Sequence, residues 1–126
     1  MSIPLEVIGL SKIYNYKEAV KNISFRVNKN EIIGVLGPNG CGKTTTIGMI
    51  LGLLKPTKGK VLIKGAEVEI KRVDLLNNLN FISPYIELPK KLTVKQNLEV
   101  YARLYGVVEI NKRVEEMVVD LNLKNF

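Results

Sequence analysis

The chain contains no histidine and no tryptophan, and its single cysteine is Cys41. Without histidine, imidazole cannot serve as general base or metal ligand within these residues. With one cysteine, no internal disulfide and no cysteine-built zinc site can form. Long apolar runs are also missing: the longest, Ile47 to Leu54, falls far short of the ~18 residues a membrane span requires. No charged leader followed by an apolar segment opens the chain, which predicts a cytoplasmic protein. Aromatic residues are few, at 6%. That weakens the nucleic-acid reading that a net charge of +7 invites. The 19 lysines and arginines are scattered and never run beyond two in a row, whereas nucleic-acid surfaces show clustered stripes with interleaved aromatics. No nucleic-acid partner is expected.

What is present looks ordinary in bulk and specific in one place. The 126 residues, 46% hydrophobic and 25% charged, suit one soluble globular domain. Gly37-Pro38-Asn39-Gly40-Cys41-Gly42-Lys43-Thr44 fits G-x-x-x-x-G-K-[ST], a phosphate-binding loop. A triphosphate is complemented by backbone N–H groups at a helix N-terminus. Glycines let the backbone wrap the phosphates where a Cβ would obstruct it. Lys43 brings a point charge to the β- and γ-phosphates, and the Thr44 hydroxyl is placed to ligate Mg²⁺. With glycine usage near 7%, a chance match in a chain this long has odds on the order of a few in a thousand.

The flanks suit the loop. Glu31 to Leu36 is apolar throughout and predicts a strand buried on both faces between parallel neighbours. Thr45 to Leu54 predicts a helix with Ile47, Ile50, Leu51 and Leu54 on one stripe. Upstream, Pro4–Gly9 and Val20–Val27 read as strands separated by a polar turn, Ser11 to Glu18, carrying Tyr14 and Tyr16. Downstream, Lys60–Lys64 reads as a strand, Arg72–Asn78 as a short helix, and Leu79–Ile82 as a short buried strand. Thr93 and Gln96 form a capping box opening a helix with Val94, Leu98, Tyr101 and Tyr105 on one face, stopped at Gly106. Asn111 to Asn122 predicts a further helix through Val114, Met117, Val118 and Leu121.

This order of pieces resembles the N-terminal half of an ATP-binding cassette (ABC) ATPase, the motor subunit of ABC transporters, and the resemblance covers the whole chain. It rests on the loop through Thr45, on Ser11-Lys12-Ile13-Tyr14 with Ala19-Val20-Lys21-Asn22-Ile23-Ser24-Phe25, on Pro56 to Val61, and on Leu92 to Leu98. The resemblance implies an α/β fold: a P-loop NTPase (RecA-like) core with an N-terminal antiparallel β subdomain and the start of a helical subdomain. Residues 1–82 would hold the β subdomain and core, and 83–126 the start of the helical part. It implies ATP bound by Tyr14, Gly37, Pro38, Asn39, Gly40, Cys41, Gly42, Lys43, Thr44 and Thr45. Lys43 is then the catalytic lysine, Thr44 the Mg²⁺ ligand, and Tyr14 a platform for the adenine ring. A purine stacked on an aromatic side chain is worth about 1–3 kcal/mol. The implied partners are a membrane permease and a second ATP-binding subunit in a head-to-tail dimer, at the inner face of the cell membrane.

Two departures qualify the resemblance. The family places a metal-sensing glutamine after the strand read at Leu79–Ile82, where this chain has Ser83-Pro84-Tyr85. The family's signature loop, Asp-Glu strand and switch histidine are absent, and Met117-Val118-Val119-Asp120 has helical spacing. Glu31 and Glu87 are poorly placed as general bases. The 126 residues are therefore expected to bind ATP without hydrolysing it usefully, and to be a truncated domain. Two alternatives share the loop: a soluble ABC-type ATPase acting on ribosomes or DNA, and a non-catalytic nucleotide-binding module.

Overall fold

The computed structural model describes residues 2–69, 75, 79–83 and 87–123. The chain divides into two compact units, Met1–Asn80 and Phe81–Phe126. The first is built on a four-stranded antiparallel sheet of order β2-β1-β3-β4. Its strands are β1 (Leu5–Tyr14), β2 (Lys17–Val27), β3 (Lys58–Ile63) and β4 (Ala66–Glu67), with helix α1 (Lys43–Ile50) between β2 and β3.

The first two strands run longer than the alternation predicts, absorbing most of the Ser11–Glu18 turn. Tyr14 pairs with Lys17, so the turn shrinks to Asn15 and Tyr16, both at positive φ (45° and 65°). Two such residues give the primed hairpin turn whose twist matches the strands. Polar composition there reflects strand edges in water. Interruptions in the β1 registers near Gly9 explain why the period-2 signal fades. Gly9 and Gly59 cross closely at this point. A Cβ on Gly59 would lie 2.3 Å from the Gly9 carbonyl oxygen.

The inward face of the sheet contributes Val7, Leu10, Val20, Val61 and Ile63 to a core closed by Met49 from α1, with Val68 and Leu75. Helix α1 is shorter than the expected Thr45–Leu54 and is turned differently. Thr46 and Met49 are buried, whereas Ile47 sits 36% exposed. Within α1 the apolar Ile47, Met49 and Ile50 form no one-sided stripe, so sequence alone could not select the inward side. It stops because Gly52 takes φ 65°. The Leu53 and Gly52 N–H groups then donate to the carbonyls of Gly48 and Met49, a Schellman closure.

Glu31–Leu36 corrects the expectation of a buried parallel strand. It forms no strand, and Ile32 and Leu36 are 98% and 91% exposed. A parallel strand needs ladder partners and cover on both faces, and no described strand offers them. Leu79–Ile82 likewise forms no strand, with Ile82 exposed. Most of the helix expected at Arg72–Asn78 lies outside the described residues; Leu75, which is described, is helical and buried.

The second unit is a helix pair, α2 (Val94–Leu104) and α3 (Ile110–Asp120). The capping box forms as read: Gln96 N–H donates to Thr93 Oγ1 at 3.2 Å, and Thr93 N–H to Gln96 Oε1 at 2.9 Å. Gly106, at φ 62°, ends α2, and Asn122, at φ 55°, ends α3. Val114 is buried, as is Asn97, whose amide donates to the Pro89, Leu92 and Thr93 carbonyls. Of the face expected at Val94, Leu98, Tyr101 and Tyr105, Leu98 is half-buried and the other three are exposed. Met117–Asp120 is helical, as its spacing predicts.

Candidate phosphate-loop site

The candidate site is the turn that feeds α1. Gly37, Gly40 and Gly42 take φ of 151°, 82° and 94°, a conformation that side chains with a Cβ rarely adopt. Gly42 matters for a second reason: a Cβ there would sit 2.2 Å from the Ala19 carbonyl oxygen. The loop thus lies directly on the backbone of β2. Gly40 faces open space, so only its backbone conformation requires glycine.

Lys43 reaches back over the turn that precedes it. Its ammonium donates to the Gly37 carbonyl at 2.7 Å and the Pro38 carbonyl at 2.8 Å, with Cys41 Sγ at 3.9 Å. The Cys41 N–H donates to the Pro38 carbonyl at 3.3 Å. These contacts close the loop into a ring that holds the ammonium through solvent-exposed bonds. Gly42 caps α1 without any side-chain hydrogen bond, and no acidic residue occupies the first turn. The N–H groups of Lys43, Thr44 and Thr45 have no partner within the helix. A helix N-terminus with free donors, an ammonium and no carboxylate suits a polyanion.

Thr44 is exposed at the start of the helix and Thr45 half-buried. Among the described residues no group of three or more Cys, Asp or Glu residues could hold a metal. A divalent ion here would rest on a hydroxyl and on phosphate oxygens, the manner in which Mg²⁺ usually binds beside phosphates. Neither carboxylate considered as a base is free for that task. Glu31 accepts from the Asn28 N–H and amide at 2.6 and 2.9 Å. Glu87 pairs with Lys90 at 2.7 Å. Ser83 is half-buried, and Pro84 and Tyr85 lie outside the described residues.

Tyr14 ends β1, and its partner Lys17 stands two residues before Ala19. The Tyr14 backbone therefore lies about 7 Å along the strand from the point where the loop touches β2. Tyr14 is 44% exposed, and Tyr16, at the hairpin tip, is fully exposed. Lys12 was not singled out from sequence. Its ammonium lies 5.1 Å from the Tyr14 ring centroid and donates to the Lys55 carbonyl at 2.7 Å. The available signal was the i, i+2 spacing of Lys12 and Tyr14, which becomes legible only once β1 is known to extend that far. A cavity of about 190 Å³ lies between the end of α1 and β3–β4, floored by Met49, Leu54 and Val61. The exposed Lys55–Glu69 ion pair stands at it, and none of its lining comes from the loop.

The ABC transporter family model matches residues 20–126. The uncharacterized ABC transporter ATP-binding protein YcbN of Bacillus subtilis is 36% identical over the whole chain, which covers 41% of that protein. The lipopolysaccharide export system ATP-binding protein LptB of Haemophilus influenzae is 34% identical, with the whole chain covering 54% of it. Among solved structures, an ATP-binding subunit of an ABC transporter superposes with a TM-score of 0.74 at 31% identity, over 83% of this chain and 44% of that one. An ABC transporter ATP-binding protein from Pyrococcus furiosus gives 0.71 at 33% identity, over 85% and 52%. The chain thus spans about half the length of these relatives. With the family model spanning residues 20–126, which take in the loop and the helix it opens, the chain belongs to the ABC transporter family of ATP-binding proteins.

Proposed function

We propose that the chain is the nucleotide-binding part of an ATP-hydrolysing subunit that powers an ABC transporter. The observation that carries this is the Lys43 ammonium, held by the Gly37 and Pro38 carbonyls at the mouth of a loop whose helix begins with free N–H groups. In this reading Gly37 to Thr45 cradle the triphosphate, Lys43 neutralises charge at its β- and γ-phosphates, and Thr44 takes one Mg²⁺ position. Tyr14 receives the adenine ring. Residues 1–82 serve as the β subdomain and loop core, and 83–126 begin the helical subdomain. A membrane permease and a second ATP-binding subunit are the partners, at the inner membrane face. Hydrolysis requires a positioned water and charge stabilisation at the γ-phosphate beyond the loop itself, and no described carboxylate stands ready for that role.

The test is a titration of the full-length protein with a fluorescent ATP analogue, beside phosphate release. Hydrogen bonds to charged groups are worth about 1.5–3 kcal/mol, so Lys43→Ala should weaken binding about 10- to 100-fold and abolish turnover. Equal affinity and turnover in parent and variant would refute the assignment of the loop.

A further inference from the structure

Tyr14 does not stand alone at the end of β1, and its neighbour suggests how the ring is held. The Lys12 ammonium lies over the ring at 5.1 Å from its centroid while donating to the Lys55 carbonyl at 2.7 Å. That carbonyl lies just beyond the turn that closes α1. The same strand end is tied to the same turn by two further bonds. The Ile13 N–H donates to Thr57 Oγ1, and the Thr57 N–H to the Ser11 carbonyl. The segment after the far end of α1 therefore fixes an ammonium on one face of Tyr14, while the near end of α1 carries the phosphate loop. With 44% of the residue exposed, ring surface remains for a second planar group.

We infer that Lys12 is a positioning residue for nucleotide recognition. It pins the Tyr14 ring by a cation–π contact, so that the purine meets a ring already held in place. This deepens the reading of Tyr14 as the base platform and rests on it. An ordered ring loses less freedom when a base stacks on it. A cation–π contact at an exposed site is modest, and its loss should weaken binding about two- to five-fold. The contribution belongs to the base and not to the phosphates, because Lys12 acts through Tyr14.

The experiment measures, on the full-length protein, the affinities of ATP and of inorganic tripolyphosphate for the parent, Lys12→Met, Lys12→Arg, Tyr14→Ala and the Lys12→Met/Tyr14→Ala pair. Lys12→Met should weaken ATP about two- to five-fold and leave tripolyphosphate unchanged, which also shows that the loop is intact. Lys12→Arg should restore ATP affinity, since a guanidinium can make both contacts. On the Tyr14→Ala background, Lys12→Met should cost nothing more. Equal weakening of ATP and tripolyphosphate would overturn the inference in favour of simple charge attraction. An undiminished effect without Tyr14 would overturn it too, as would unchanged ATP affinity in Lys12→Met when Tyr14→Ala weakens binding. If Tyr14→Ala itself leaves ATP affinity unchanged, the base platform is wrong and the inference falls with it.

Discussion

The apolar run Glu31–Leu36 leads directly into the loop Gly37–Thr44, and the two segments hold their conformations by different means. The loop is closed by bonds that span at most six residues, from Lys43 to Gly37 and Pro38 and from Cys41 to Pro38. At its end, Gly42 also lies against Ala19 and Val20 of β2. The run before it has a more apolar sequence, yet Ile32 and Leu36 lie almost fully exposed. Hydrophobicity alone does not make a strand. The backbone donors and acceptors of a strand are satisfied only by neighbours, which local sequence cannot supply. The loop carries its own partners.

The sharpest way to break this contrast is at Gly42. A Cβ would combine an unfavourable φ of 94° with a collision on the Ala19 backbone. Gly42→Val should cost about 3–4 kcal/mol of stability, measured by urea denaturation of the full-length protein, and nucleotide binding should go with it. Gly40→Ala is the control: with open space around it, it should cost only about 1–2 kcal/mol of backbone strain. Equal costs at the two glycines would show that the contact with β2 is not what anchors the loop. Thr93→Ala, which removes the capping box of α2, should cost about 1 kcal/mol, read as a shift in denaturation midpoint. Thr93→Ser should retain most of the stability.

The exposed run should be nearly silent. In the 126-residue chain, Ile32→Lys should change stability by less than about 0.5 kcal/mol, as surface substitutions do. A loss above about 2 kcal/mol would mean that the run finds partners in solution. The smallest effect belongs to the ion pair of Lys55 with Glu69. Glu69, by hydrogen bond and by charge, raises the Lys55 pKa above its usual 10.5. A raised lysine pKa contributes stability that is present in full below 10.5 and fades as pH climbs through the raised value. Because the pair is exposed to solvent and screened, Glu69→Gln should leave the melting temperature at neutral pH unchanged. A drop that persists at neutral pH and in high salt would give the pair a structural role beyond its charge.

The chain's sequence by itself determined the features whose partners lie within a few residues. These are the glycine-punctuated loop, the Thr93–Gln96 box, the stop at Gly106, and the helical identity of Met117–Asp120. Each depends on backbone geometry or bonds that a motif encodes directly. Tertiary structure alone decided the rest. It extended β1 through Tyr14, because pairing with β2 overrode a polar composition and a faltering period. It turned Met49 rather than Ile47 inward, because the apolar residues of α1 form no one-sided stripe and only the sheet could choose a side. It brought Lys12 between Tyr14 and Lys55, across 43 residues of chain. It also left Glu31–Leu36 unpaired, since a strand exists only where another strand meets its hydrogen bonds.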